Sequence, residues 1–271
     1  MAKPASTPPG RQQGTGSTVS DDDFNARRLF VESSLAEGDE IVPSDAAVNY
    51  LLNVLRLREG DKILVFNGRD GEFRAHLHAV SRRAARLRIG IRTRMQTPHA
   101  DLDYCFAPLK QGRLDYMAQK ATEMGASRLV PVITNRTQVR RVGDARIVAN
   151  VIEAAEQCGV LAVPAVAEAV SLSSFLASFP PTRLLVFCDE QAPIADPMRA
   201  LAGRVGAGTS VLVGPEGGFD DAERTAIRRL PNVAALSLGP RILRADTAAV
   251  AALAVVQAAL GDWRIDAGTT A

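Results

Sequence analysis

Cysteine, histidine and aromatic side chains are scarce in this chain. Of 271 residues, three are Cys and three are His; Phe, Tyr and Trp together make 5%, with a single Trp. Cys105, Cys158 and Cys188 lie far apart in apolar surroundings without a CxxC pair, which argues against a zinc site and a disulfide framework. No metal and a reducing, cytoplasmic setting are expected. No apolar run reaches the length of a transmembrane helix, so no membrane partner is expected either. The opening MAKPASTPPGRQQGTGSTVSDDD lacks the apolar stretch of a secretory signal. Its Pro, Gly, Ser and Gln content predicts a disordered tail over residues 1–26. Two phosphate cradles are missing as well. GxxxxGK[ST] requires a Gly-Lys step that occurs nowhere, and GRVGAG has the wrong spacing for GxGxxG. A nucleotide bound here is therefore expected to be held by its adenosine part.

Charge is present but unevenly spread. Residues 54–94 hold eleven Lys or Arg against four acids, and RRAARLRIGIRTR (82–94) has six Arg and no acid. Residues 95–271 are near neutral, with 17 basic and 18 acidic side chains. A small basic part joined to a neutral one suggests a module for a polyanion attached to something else.

Hydrophobic periodicity divides the chain at the same place. Between residues 27 and 95, RLFV, DKILVFNG, GEFRAHLHAV and AARLRIGIRTR alternate with period two. Phe73, Ala75, Leu77 and Ala79 are expected inward, as are Leu87, Ile89 and Ile91, with Arg86, Arg88 and Arg92 outward. NGRDG reads as a hairpin turn, and one helix is expected from Ser44 through NYLLNVLRL. A small β-barrel with an Arg-rich face fits. QTPHAD (96–101) reads as a linker. From 101 to 265, strand and helix signals alternate, which predicts an α/β domain with a mainly parallel sheet. Gly125 and Gly159 stand at helix C-cap positions, and Asp220 with Glu223 makes a capping-box pattern.

Three strand exits crowd the last third: LLVFCDEQ (184–191), VLVGPEGG (211–218) and LSLGPRILRADTAA (236–249). In a parallel sheet they open on one edge, where ligands of such folds bind.

LVGPEGGF and LSLGPRILRADTA, with KQGRLDYMAQKATEMGA and EAAEQCG upstream, resemble the SPOUT-class RNA methyltransferases. The resemblance spans roughly residues 27–262. Within the class it is to the enzymes that methylate N3 of one uridine of bacterial 16S rRNA, numbered 1498 in the family. It implies a PUA-like RNA-binding barrel, an α/β domain with a deep trefoil knot, S-adenosyl-L-methionine (SAM) as cofactor, and a homodimer. It also implies a small-ribosomal-subunit partner, with the assembled 30S subunit expected as the substrate. Two positions depart from the family pattern: Asp246 stands before Thr247 where Glu is common, and Val160 stands where Arg is frequent.

Site expectations follow from the resemblance. Val213, Gly214, Pro215, Glu216, Gly217, Gly218, Leu236, Leu238, Gly239, Ile242, Leu243 and Thr247 are expected around the cofactor. Arg241 and Arg244 are expected to stabilise the uracil anion or hold a phosphate, with an ion pair to Asp246 or Glu216 as the alternative. Glu216 is a candidate proton acceptor or ribose ligand, with loop-shaping as its other role. Arg56, Arg82, Arg83, Arg86, Arg88, Lys110 and Arg113 are expected on RNA. A non-catalytic RNA-binding assembly factor is the competing class; the intact GPEGG and LGPRILR stretches weigh against it.

Overall fold

A computed structural model describes residues 27–78, 81, 84–139, 143–192, 196–204 and 206–264. The tail expected over 1–26, together with Ala79, Arg82 and Arg83, lies outside the described residues.

The first sheet contains β1 (Arg28–Phe30), β2 (Glu40–Ile41), β3 (Lys62–Phe66), β4 (Glu72–His78) and β5 (Arg86–Arg94), in the order β1-β3-β4-β5-β2. Leu29 of β1 and Ile41 of β2 stand at opposite ends of this order yet share one apolar cluster with Ile63, Phe73 and Leu87, so the sheet curls around a common core. Period-two alternation holds along β4, where Phe73, Ala75 and Leu77 are buried. It fails in β5. Between the pairs Ala75↔Ile89 and Phe73↔Arg92, the longer strand carries an extra residue. Such a bulge reverses which face the following side chains occupy. Ile91, expected inward, is consequently 53% exposed. Gly90 sits at the bulge, where a β-carbon would lie 2.9 Å from the carbonyl oxygen of Arg74.

NGRDG is the turn between β3 and β4, and Asn67 organises it. Its Oδ1 accepts the N–H groups of Arg69 and Asp70 at 3.0 and 2.9 Å, and its Nδ2 donates to Asp70 at 2.6 Å. The helix expected from Ser44 is shorter and less regular than its pattern. Ser44 caps α1 (Asp45–Asn49), which widens into a π-helical turn over Tyr50–Val54. Arg56 then takes a φ of 56°, which stops it.

The second sheet contains β6 (Leu102–Phe106), β7 (Arg128–Ile133), β8 (Ala165–Val166), β9 (Val170–Ser171), β10 (Leu184–Cys188), β11 (Thr209–Val213) and β12 (Val233–Leu236). Its order is β12-β10-β11-β6-β7-β8, with β9 also on β7, and every ladder is parallel. Helices cover both faces. On one side lie α2 (Gln111–Glu123), α3 (Asp144–Cys158), α5 (Pro197–Leu201) and α7 (Ala245–Leu260); on the other lie α4 (Leu172–Ser178) and α6 (Asp221–Arg228). Double coverage explains why β6 and β10 are buried at every position; β10 is an uninterrupted apolar run, while in β6 the buried Asp103 is ion-paired with Arg128 and Arg183. Burial pushes the Cys105 thiol far up and the Cys188 thiol to about 12, so both behave as small apolar groups. Asp220 and Glu223 form the capping box at the start of α6, and Gly159 ends α3 with a φ of 65°. No helix among the described residues is long and apolar enough to cross a membrane.

The two sheets meet along a defined seam. Glu156 of α3 accepts the backbone N–H of Phe30 at 2.8 Å, and Arg94 donates to the Gly159 carbonyl at 2.9 Å. Phe66, Ala155 and Leu161 form an apolar patch there, against which Phe30 and Val160 pack. Val160, the position that departs from the family pattern, is thus part of the seam.

Candidate active site

Strands β12, β10 and β11 lie side by side and parallel, so their C-terminal exits share one edge, where the chain forms a cleft of about 380 Å³. That size suits a small-molecule ligand. Of the residues expected around a cofactor, Val213 through Gly218, Leu236, Leu238, Gly239, Ile242 and Leu243 all line it. Thr247 does not; it is exposed in the first turn of α7, and Ala245 and Ala248 face the cleft instead. Arg241 lines the cleft, whereas Arg244 is the exposed N-cap residue of α7 outside it. Among the described residues neither arginine makes an ion pair, so the expected pairing with Asp246 or Glu216 is not formed.

The glycines of GPEGG first serve the protein itself. A β-carbon on Gly214 would fall 2.5 Å from the ring of Phe219, which is fully buried against Phe187. Gly218 has a φ of 66°, and a β-carbon there would collide with the carboxylate of Glu190. Gly239, at a φ of 97°, has open space beside it.

Across the cleft mouth runs a charge network that spacing alone did not reveal. Asp189 and Glu190 follow β10 directly. Asp189 is buried; its carboxylate accepts from Gln191 N at 3.0 Å, Arg224 Nε at 3.0 Å and Arg228 at 2.7 Å. Burial works against its charge, but these donors overcome it and hold the carboxyl below its ordinary value. Arg224, also buried, donates to the Phe219 carbonyl at 2.5 Å and to Oε1 of Glu190.

The outer side of GPEGG is held by the loop after β7. Asn135 donates from its backbone to Glu223 at 2.7 Å and from its side chain to Asp220 at 2.7 Å; Arg136 donates to the Gly217 carbonyl at 2.6 Å. A buried pair of threonine hydroxyls, Thr134 and Thr137, 2.9 Å apart, stiffens this loop. Between it and α2 lies a small hollow where Lys110, Arg113 and Arg136 surround Glu216. Glu216 lines both hollow and cleft, and its carboxylate is ion-paired with Arg113.

Of the remaining cations expected on RNA, Arg86 and Arg88 lie on β5 of the first sheet. Lys62, His76 and Arg88 are cross-strand neighbours on β3, β4 and β5. Arg88 is exposed; Arg86 is ion-paired with Glu40, which also meets His78 at 2.9 Å. Arg56 is exposed in the turn after the π-helical segment.

The donor set suits an adenosyl ligand. Leu236, Leu238, Leu243 and Ala248 give an apolar lining. Among the described residues, the backbone N–H groups of Leu238, Ile242 and Leu243 find no protein partner. Unpaired donors beside an apolar wall match a heteroaromatic base with ring acceptors.

Residues 96–257 match the RNA methyltransferase domain family, and residues 43–90 match the RNA methyltransferase PUA domain. A Rickettsia conorii protein, ribosomal RNA small subunit methyltransferase E, is 32% identical over 232 residues, covering 85% of this chain and 94% of its own length. The same-named Synechocystis protein is 30% identical over 87% of this chain and 78% of its own. A Neisseria gonorrhoeae ribosomal RNA small subunit methyltransferase E, solved with SAM bound, superposes with a TM-score of 0.75 at 27% identity, over 86% of this chain and 97% of that one. A Legionella pneumophila methyltransferase solved with SAM gives 0.76 at 27%, over 87% and 98%.

Proposed function

This chain belongs to the RNA methyltransferase family, with a PUA domain preceding the SPOUT-type α/β fold, and from that premise we propose that it methylates N3 of one uridine of 16S rRNA, using SAM. The observation that carries the reading is the glycine-shaped cleft at the exits of β10, β11 and β12, with its unpaired backbone donors and apolar wall. When bound in the cleft, SAM would supply a methyl carbon on a sulfonium leaving group, which would depart as the neutral thioether while the N3 proton passes to water.

The chain's own residues have three tasks. Backbone donors of the 238–243 loop would hold the adenine edge, and the loop over Gly214–Gly218 would wall the other side. Arg241, at the cleft and without an ion-pair partner among the described residues, is the cation suited to stabilise negative charge on the uracil as N3 is deprotonated. Arg244, next to the cleft and likewise without an ion pair among the described residues, suits a neighbouring phosphate. N3 lies on the pairing edge of the base, so the target must be unpaired or flipped out.

RNA binding by Lys62, Arg88, Lys110 and Arg113 extends the site beyond the cleft, and an assembled 30S subunit is the substrate such separated contacts favour. A homodimer belongs to the same reading: Ile242, 97% exposed at the cleft lip, and Trp263, half exposed, are apolar surface a second copy would cover.

Small subunits from cells lacking this protein, incubated with the purified chain and labelled SAM, test the proposal. Nucleoside mass spectrometry is expected to find 3-methyluridine at one site, and Arg241→Ala is expected to lower the rate at least about a hundredfold. Absence of 3-methyluridine alongside intact particle binding would favour the assembly-factor class.

A further inference from the structure

We propose that Glu190 is the residue that receives the ribose hydroxyls of the cofactor, an inference that rests on the SAM reading of the cleft.

Three carboxylates stand at this cleft, and two are already committed. Asp189 is buried and accepts from Gln191, Arg224 and Arg228. Glu216 is ion-paired with Arg113 and shared with the hollow outside the loop. Glu190 is different. Its side chain is 51% exposed, it lines the cleft, and Arg224 holds Oε1 while Oε2 has no partner among the described residues.

The free oxygen belongs to a carboxylate fixed in place. Arg224 cannot swing away, because Asp189 and the Phe219 carbonyl hold its other nitrogens in a buried setting. Behind Glu190 stands Gly218, whose missing β-carbon leaves the space the carboxylate fills. The glycine loop is therefore shaped around this acid. A fixed carboxylate with an unused oxygen is a charge-assisted acceptor, and the adenosyl part offers two kinds of donor: the N6 amino group, on the base edge assigned to the 238–243 N–H groups, and the vicinal hydroxyls, which are left for Glu190. The preorganised acceptor also loses little conformational freedom on binding.

Calorimetric titration of the purified full chain with S-adenosylhomocysteine and with its 2′-deoxy counterpart tests the assignment; neither ligand carries the sulfonium charge, so the comparison isolates the hydroxyl. The wild-type chain is expected to prefer the ribose form by about tenfold, the worth of one charge-assisted hydrogen bond. Glu190→Ala is expected to bring that preference close to one. Glu190→Gln, which keeps an oxygen for Arg224, is expected to retain a preference of roughly threefold. A Glu190→Ala chain that binds both ligands more weakly yet keeps the tenfold preference overturns the proposal, since the residue then only supports Arg224. A wild-type chain with no preference overturns it as well. A wild-type chain that binds neither ligand removes the cofactor reading itself, an outcome distinct from loss of preference.

Discussion

Arg136 donates to the carbonyl oxygen of Gly217 at 2.6 Å, and this bond ties the loop after β7 to the loop after β11 across the exit of β6. Without it the outer side of GPEGG keeps only the Arg113–Glu216 ion pair and the bonds from Asn135 to the capping box as ties among the described residues. One such bond is worth roughly 0.5–1.5 kcal/mol net. Arg136→Ala is accordingly expected to weaken SAM binding about three- to tenfold in titrations without RNA, with little change in melting temperature. An unchanged affinity would mean that the cofactor loop holds its shape without this bond.

Gly214 lies against Phe219, whose ring leaves no room for a methyl group. Gly214→Ala forces the ring against Phe187, and overpacking of this kind costs about 1–3 kcal/mol. Denaturant unfolding is expected to show that loss in full. In a Phe219→Leu background the added cost of Gly214→Ala is expected to shrink, because the smaller side chain yields. Equal penalties in both backgrounds would sink the steric account.

Much of this fold is legible in the sequence, and the failures have local causes. A period-two run marks β4, an uninterrupted apolar run marks β10, and Asp220 with Glu223 announces α6, whereas β3, expected to alternate, is buried at every position from Ile63 to Phe66. Ile91 misleads because one extra residue in β5 reverses the face, and no composition signal distinguishes a bulge glycine from a turn glycine. Most of the cleft was readable because glycine-rich exits follow parallel strands. Glu190 carried a usable signal, an acid directly after an apolar strand. Arg136 carried none: it reaches Gly217 from β7, two strands away in the sheet, and only the sheet order brings the two loops together.

Glu156 is expected to govern how the two sheets are held relative to one another. It accepts the Phe30 N–H across the seam and does not line the cleft. Removing the acceptor leaves a part-buried donor unsatisfied, at a cost of about 1–3 kcal/mol. Glu156→Ala should therefore raise KM for small subunits while leaving SAM affinity and kcat near wild type. Glu156→Gln, which keeps an acceptor oxygen, should restore KM. A fall in kcat at unchanged KM would instead put Glu156 in the chemistry.

Asp189 links the cleft to acid stability. Its carboxyl lies below the ordinary 3.8 in the folded chain, so the folded state prefers it ionised. A lowered pKa contributes stability above the unfolded value and loses it as the pH falls through the folded value. The stabilisation from Arg224 and Arg228 should thus be complete at neutral pH and drain away below about 3.8. Asp189→Asn leaves buried Arg224 without its main counter-charge, which costs about 3–5 kcal/mol at neutral pH. Denaturant unfolding from neutral to strongly acidic pH should show the wild type falling toward the variant, the gap closing as Asp189 is protonated. A gap that stays constant below that point would mean the cluster acts through packing rather than charge. The arginine that holds Glu190 in place would then owe its position to Phe219 and the walls around it, not to Asp189.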